Sequence, residues 1–248
     1  MKMGLSKLWL GSARSGAYLS EEHVAWLALL SPLMTMVFYV LPASVQTWTS
    51  LQFLPQAFGY LSLVVWMRYN THVGERLGVV AIHVGQGIRW GGVTGILLGT
   101  LNTSVILLGT PRLGWDIEFL KETPHATLPM FVMVPWFIVC IAVCVELNYR
   151  AFLLGRLTVF LTERLSHVHV ENRPARRIGA IVAVGCSALA FAFDPFLVAT
   201  FKHLHWIALW DGLVWGWLWI RLRNLLAVIV AHAVEVVILY LMVRAALS

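Results

Sequence analysis

Four ionisable residues lie in stretches that are otherwise apolar, and their spacing groups them in two pairs, Glu146 with Arg150 and His232 with Glu235. Such side chains are costly in apolar stretches and usually face the interior of a helix bundle or a water-filled cavity. A carboxylate can take a proton from water, an arginine can hold that carboxylate, and an imidazole exchanges protons near neutral pH. The four residues are therefore candidates for hydrolytic chemistry.

Each pair also has a purely structural interpretation. Glu146 and Arg150 are spaced i, i+4 with the acid first, the orientation in which a helical ion pair forms. The chemical alternative is a desolvated glutamate that activates water. His232 and Glu235 lie three residues apart on one helical face, where they either orient a water or a metal, or where the histidine simply packs. Spacing alone leaves both interpretations open.

The composition is typical of a membrane protein. Of the 248 residues, 59% are hydrophobic and 12% are charged, whereas an average soluble domain has about half and about a quarter. Apolar runs of roughly twenty residues, long enough to cross a bilayer, recur along the chain. The net charge of +6 then indicates basic loops that face the cytoplasm and anionic lipid, and it argues against a nucleic-acid partner.

We expect an all-α fold, a polytopic transmembrane helical bundle of about seven spans. It forms a single domain over residues 1–248, with N-terminal helices in 1–127 and a core in 128–248. The predicted spans are His23–Leu41, Gln46–Trp66, Gly91–Leu108, Leu128–Glu146, Ala175–Phe193, Trp206–Ile220 and Leu225–Val243. With a cytoplasmic N terminus, Arg112, Lys121, Lys202 and Arg244 fall outside, and the other 14 of the 18 lysines and arginines fall inside. That asymmetry follows the positive-inside rule, and we expect a multi-pass protein of a bacterial inner membrane.

Three local features complicate this arrangement. Ser20-Glu21-Glu22 predicts the start of the first helix, because serine caps free amides and acids favour the positive end of the helix dipole. The polar stretch Thr110–Thr127, with its prolines and glycine, predicts an exposed loop. From Ala126 to Leu165 the chain stays apolar for about twice the length that spans a bilayer, so we expect it to bend, tilt or exit. A second helix over 148–164 would place Glu146 and Arg150 near the joint.

The residues around the two pairs resemble the motifs of the CPBP family, the group of CAAX proteases and bacteriocin-processing proteins. The family's first motif, EExxxR, is matched by residues 145–150, in which Val145 replaces the first glutamate. Its last motif, HxxxN or HxxxD, is matched at His232, with Val236 in the final position and Glu235 beside it.

The middle motif of the family, FxxxH, is matched less well. Phe191 stands at the expected place, but Pro195 occupies the position of the histidine. The later sequence FKHLH offers Phe201 with His205 at the same spacing, and His203 is an alternative histidine.

The resemblance implies a CPBP-type core and a glutamate-dependent intramembrane protease site. In the family, the first glutamate and the middle histidine activate water, and the last histidine with its partner stabilises the oxyanion. On this chain the roles fall to Glu146 as base, His203 or His205 as its assistant, and His232 as oxyanion stabiliser. Arg150 would fix the glutamate. The substrate would be a membrane-associated peptide or a prenyl-like C-terminal segment that enters laterally.

Three classes of function follow from these residues. The first is a divergent intramembrane endopeptidase. The second is a catalytically inactive relative, a scaffold or assembly factor that binds a membrane partner without cutting it, because three motif positions have changed. The third, a pigment-, haem- or metal-binding subunit with His232 or His83 as axial ligand, rests on single histidines. We expect no cofactor and no metal, with membrane lipid and a membrane-associated peptide or protein as partners.

Overall fold

All regular structure in the described part of the chain is helical. The computed structural model describes residues 22–79, 83–166 and 173–247, and these contain no strand. The main helices are α1 (Leu30–Val40), α2 (Leu54–Tyr69), α3 (Val84–Ser104), α4 (Met130–Thr162), α5 (Arg173–Ala192), α6 (Pro195–Phe201), α7 (Ile207–Leu222) and α8 (Leu225–Leu247). Shorter helical segments are Ala25–Leu29, Ala43–Gln46, Thr49–Gln52, Val73–Arg76, Glu118–Glu122 and Pro124–Thr127. The predicted all-α class is confirmed.

Three of these helices are long and apolar enough to cross a membrane. They are Val84–Arg112, which is α3 with its continuation, Met130–Thr162, and Leu225–Ala246. A bent pair, Arg177–Ala192 with Pro195–Leu204, becomes a fourth if its two arms, inclined at 56°, count as one span. Large apolar side chains are exposed on the outer surface of the bundle, for example Phe131 at 77%. The described chain is thus consistent with an integral membrane protein.

The long helix α4 differs from its sequence prediction, because no separate helix begins at residue 148. It runs without a break for 33 residues, which at the rise of an ordinary α-helix would be about 50 Å and would exceed the thickness of a bilayer's hydrocarbon core. Two segments of it, Met133–Cys140 and Leu147–Leu154, are wound as π-helix. Glu146 is the last residue before the second of these segments. The expected joint is therefore a change of helical winding.

A stripe of glycines brings α3 against α8. Gly87, Gly91, Gly95 and Gly99 recur every four residues and so share one face of α3. A Cβ on Gly91 would stand 2.4 Å from the carbonyl oxygen of Ala227, a distance that real side chains do not adopt. Small residues of this kind allow two helix backbones to approach closely. The stripe thereby sets the position of the residues that follow it on α3.

Gly212 and Gly216 of α7 stand four residues apart in the sequence, a small-xxx-small arrangement that predicts the close approach of a neighbouring helix. A Cβ on Gly212 would stand 2.9 Å from Ala188 Cα, and one on Gly216 would stand 3.1 Å from Val184 Cγ1. Helix α5 therefore packs closely on α7, and the prediction of a close neighbour at these glycines is confirmed. With α4 and α8, these helices enclose the largest apolar cluster of the described chain.

The side chain of Glu22 contacts three residues far along the chain and does not cap a helix. Ser20 and Glu21 lie outside the described residues, and the first helical turn begins at Ala25 without a side-chain cap. The Glu22 carboxylate accepts a hydrogen bond from Trp66 Nε1 at 2.9 Å and lies 2.5 Å from Arg156 Nε and 3.5 Å from Arg76 Nη1. It thus links the start of the described chain to α2 and α4.

The polar stretch after α3 is partly buried, which corrects the prediction of an exposed loop over Thr110–Thr127. Phe119 and Leu120 are 8% and 3% exposed, and they pack in one cluster with Leu239 and Val243 of α8. The burial of these two apolar side chains determines where the segment lies, although turn-forming residues surround them. The segment therefore covers one end of the bundle.

Candidate active site in a helix-lined cavity

Glu146 and Arg150 meet in the interior of the bundle. Arg150 Nε lies 3.3 Å from Glu146 Oε2, and neither side chain has exposed surface. The ion pair that the i, i+4 spacing predicts is thus present, across the point where α4 passes into its second π-helical segment. Short π-helical turns inside α-helices are frequent at functional sites.

His232 of α8 holds the other oxygen of the same carboxylate. Its Nδ1 lies 2.8 Å from Glu146 Oε1. An ionised carboxylate only accepts hydrogen bonds, so beside an ionised Glu146 the hydrogen lies on Nδ1, and in the neutral form of the ring Nε2 is then an acceptor. The structure thereby brings two residues of the candidate motifs, 86 positions apart, into one dyad.

Aromatic rings surround the dyad. Trp215 stacks on the His232 ring, with the ring centres 4.4 Å apart and the planes inclined by 18°. Arg150 Cζ lies 4.4 Å from the centre of the Phe191 ring and 5.1 Å from that of Trp215. Among the described residues the three guanidinium nitrogens have no hydrogen-bond partner. Ring faces and the Glu146 charge therefore stabilise this buried cation.

A cavity opens beside the dyad, between α3, α5, α7 and α8 and the segments that cover their ends. It offers about 90 Å³ to water-sized molecules, which is room for several waters. Its polar lining residues are Asn102, His125, His205, Asp211, His232 and Glu235. Glu146 does not reach the wall. His232, whose side chain is 11% exposed, connects the buried carboxylate to the cavity.

The two loop histidines differ in position. His205 lines the cavity, as does Phe201 four residues earlier, and its Nδ1 lies 2.6 Å from the carbonyl oxygen of Lys202. His203 is exposed and lies edge-on against Trp115 and Phe119. Of the two alternatives for the middle motif, only His205 shares the cavity with His232.

Glu235 and Asp211 form a second polar group on the cavity wall. Asn102 Nδ2 lies 2.6 Å from Glu235 Oε1 and 3.0 Å from Asp211 Oδ1. All three residues are buried. Glu235, predicted as a site residue from its spacing to His232, therefore contacts a partner that the sequence reasoning missed. The signal for Asn102 was the glycine stripe, since position 102 follows Gly99 by three residues on nearly the same helical face.

Three further lining residues of interest were missed or treated as structural. From the sequence, Asp211 is expected to be a paired acid or one near the end of its span, and Trp215 is expected to be a packing residue or an interfacial anchor. His125 fell in the segment predicted to be an exposed loop; burial lowers the pKa of its imidazole to about 4. No local motif marks these residues, because they meet only through the packing of distant segments.

The changed motif positions have apolar surroundings. Val236 lines the cavity, and Val145 packs against the central apolar cluster. Pro195 begins α6, which Asp194 caps by accepting from the main-chain N–H groups of Phe196 and Leu197. Asp194 also accepts from the Tyr149 hydroxyl at 2.7 Å. The sequence Asp194-Pro195 predicts an ordinary polar loop, and this prediction is wrong, because Asp194 is buried and caps a helix.

The described residues include no group of three or more His, Cys, Asp or Glu side chains arranged to hold a metal. Comparisons with protein-family models, curated proteins and solved structures found no match to this chain. The arrangement of the side chains therefore provides the basis for assigning a function. A carboxylate–imidazole dyad at the wall of a small cavity is suited to taking a proton from water.

Proposed function

We propose that this protein is an intramembrane endopeptidase of CPBP type, in which a Glu146–His232 dyad activates water against a membrane-associated peptide. The observation that carries the proposal is the 2.8 Å contact between Glu146 Oε1 and His232 Nδ1 at the wall of the cavity. A carboxylate that orients an imidazole and stabilises its protonated form is a general device of hydrolytic enzymes.

The geometry favours a division of roles different from that of the family. Glu146 has no exposed surface, so a water in the cavity meets His232 first. His232 Nε2 takes the proton from that water, and Glu146 balances the charge of the imidazolium that forms. Arg150 positions Glu146. Among the described residues Trp215 Nε1 has no hydrogen-bond partner although it is buried at the wall, and it is the donor that we assign to the developing oxyanion.

The apolar lining of the cavity supports a substrate of membrane origin. Phe201, Leu204 and Leu239 form part of its wall, and an apolar peptide segment is a suitable ligand for such a surface. We further propose the seven-span arrangement in a bacterial inner membrane with a cytoplasmic N terminus, since the distribution of lysine and arginine supports it.

The test is cleavage of membrane peptides by purified protein in lipid bilayers. Glu146→Gln keeps the shape of the dyad but removes its charge, and His232→Gln removes the base; each is expected to reduce cleavage by about 100- to 10,000-fold. His203→Gln is the matched control, because this histidine lies outside the cavity and is expected to leave cleavage unchanged. Equal cleavage by all four proteins would contradict the dyad.

A catalytically inactive scaffold is the second candidate function. The complete burial of Glu146 and the presence of Val145 and Val236 at family motif positions favour it. A wild-type protein that is folded in lipid but cleaves no member of a membrane-peptide library would give this function precedence. Glu146→Gln and His232→Gln would then affect only stability.

A further inference from the structure

Asn102, Asp211 and Glu235 come from three different helices and meet at the cavity. Trp210 Nε1 lies 2.8 Å from Asn102 Oδ1. An indole N–H only donates, so this contact fixes the amide oxygen as the acceptor and turns the amide nitrogen toward the acids. That nitrogen lies 3.0 Å and 3.1 Å from the two oxygens of Asp211 and 2.6 Å from Glu235 Oε1. One amide therefore holds both carboxyl groups.

The two carboxyl groups therefore lie side by side, because one amide nitrogen contacts both of them. Two ionised carboxylates can only accept hydrogen bonds, so a direct hydrogen bond between them requires that one carries a proton. Glu235 Oε2 has no hydrogen-bond partner among the described residues, although Glu235 is only 4% exposed. Two carboxylates that share one site do not readily ionise together.

The charged groups around Asp211 and Glu235 do not compensate the negative charge that both carboxyl groups would carry without a proton. Arg150 is the nearby cation, and it forms an ion pair with Glu146, with 3.3 Å between Arg150 Nε and Glu146 Oε2. The other titratable groups at the cavity are the imidazoles of His125, His205 and His232. Among the described residues, no lysine or arginine lines this cavity. A proton on the pair therefore lowers the negative charge of the wall.

An independent feature of the wall indicates a polar ligand. Trp215 is 2% exposed and belongs to α7, and its Nε1 has no hydrogen-bond partner among the described residues although the side chain lines the cavity. A buried N–H group is costly unless something accepts its hydrogen. A water or the carbonyl of a peptide bond would satisfy it. Trp215 thus has an unpaired donor on a side chain that lines the same cavity as the acid pair.

We propose that Asp211 and Glu235, held by Asn102, share one proton and form the proton-donating site of this cavity. This inference rests on the hydrolytic function proposed above. When water attacks the peptide carbonyl, an O–C bond forms and the proton of the water passes to His232 Nε2. When the C–N bond breaks, the acid pair gives its proton to the leaving nitrogen. The proton on His232 then returns to the pair through cavity water, and the site is restored.

The first experiment measures the proton and needs no substrate. Infrared spectra of the protein in lipid, in H₂O and in ²H₂O at neutral pH, are expected to contain a carbonyl band of a buried protonated carboxyl group. Asp211→Asn and Glu235→Gln should each remove it. Glu22→Gln is the matched control, because Glu22 is a buried carboxylate ion-paired with arginines and should not contribute to the band. A band absent from the wild type, or unchanged in both variants, overturns the proposal.

The second experiment separates this inference from the proposed function. If the wild type cleaves membrane peptides, Glu235→Gln should reduce cleavage by about 100- to 10,000-fold, with thermal unfolding near that of the wild type. Wild-type cleavage that Glu235→Gln leaves unchanged overturns the proton-donating role. If the wild type cleaves nothing and the band disappears in the variants, the shared proton is supported and the hydrolytic function fails. Should Asp211→Asn fail to fold, Glu235→Gln alone decides.

Discussion

Gly95 of α3 lies directly against the main-chain carbonyl of Ala231 on α8. A Cβ on residue 95 would stand 2.6 Å from that oxygen and 2.8 Å from Val234 Cβ. Gly92, three residues earlier, has no neighbouring atom within 4 Å of the corresponding position. The two glycines therefore differ in surroundings while sharing a helix. The contact at Gly95 is one of those that bring Asn102 next to Glu235.

Gly95→Ala is expected to destabilise the protein. The added methyl group meets main chain, which cannot move aside as a flexible side chain would, and such overpacking typically costs about 1–3 kcal/mol. Unfolding in detergent micelles measures the loss. Gly92→Ala is the control and should be neutral or stabilising by up to about 1 kcal/mol, because alanine is the better helix former. Equal effects of the two substitutions would contradict the close approach of α3 and α8.

The Glu146–Arg150 pair is expected to show strong coupling. Arg150→Leu leaves a carboxylate buried without its cation, a change that typically costs about 3–5 kcal/mol. Adding Glu146→Gln to the same chain removes the stranded charge and should recover part of that loss. A double-mutant cycle measured by unfolding gives the coupling. Lys121→Ala, at the exposed pair with Glu118, should change stability by less than about 1 kcal/mol. Additive effects at residues 146 and 150 would argue against the pair.

His125 is expected to make stability depend on pH. Burial lowers its folded-state pKa to about 4, below the usual 6.5, so the unfolded chain binds more protons between these values. Stability from the neutral imidazole is complete above pH 6.5 and is lost as the pH falls toward 4. Unfolding of the wild type and of His125→Phe at pH 7.5 and 4.5 gives the contribution as a difference. A pH dependence that is the same in both proteins would contradict a buried neutral His125.

Sequence patterns predicted the helical class, the ion pair of α4 and the close approach at Gly212 and Gly216, because all three follow from spacing within one segment. They also identified His232 and Glu235, since charged residues in apolar stretches are conspicuous. The direct contact between Glu146 and His232 did not follow from spacing. It depends on how α4 and α8 cross, which side-chain packing across the whole bundle determines.

The other residues of the candidate site could not be predicted from the sequence, for a related reason. Asn102 lies on the glycine face of α3, but neither its segment nor that of Trp215 indicates that the two residues line one cavity. The sequence did not predict the continuity of α4, because the length of the helix was compared with the bilayer thickness at ordinary α-helical winding. The helix has 33 residues, and two segments within it are wound as π-helix. The burial of His125 depends on Phe119 and Leu120, which anchor a segment that turn residues had marked as exposed.

The seven-span arrangement is tested by the side of the membrane on which single residues appear. In a chain whose native Cys140, Cys144 and Cys186 are replaced by alanine, single cysteines are introduced at Arg68 and Lys121, both of which are exposed. The proposed orientation puts residue 68 in the cytoplasm and residue 121 outside, because one span separates them. A membrane-impermeant thiol reagent should therefore label Lys121→Cys in intact cells and Arg68→Cys only after permeabilisation. Labelling of both residues under the same condition would mean that α3 does not cross the membrane, and it would remove the support that the lysine and arginine distribution gives to the orientation.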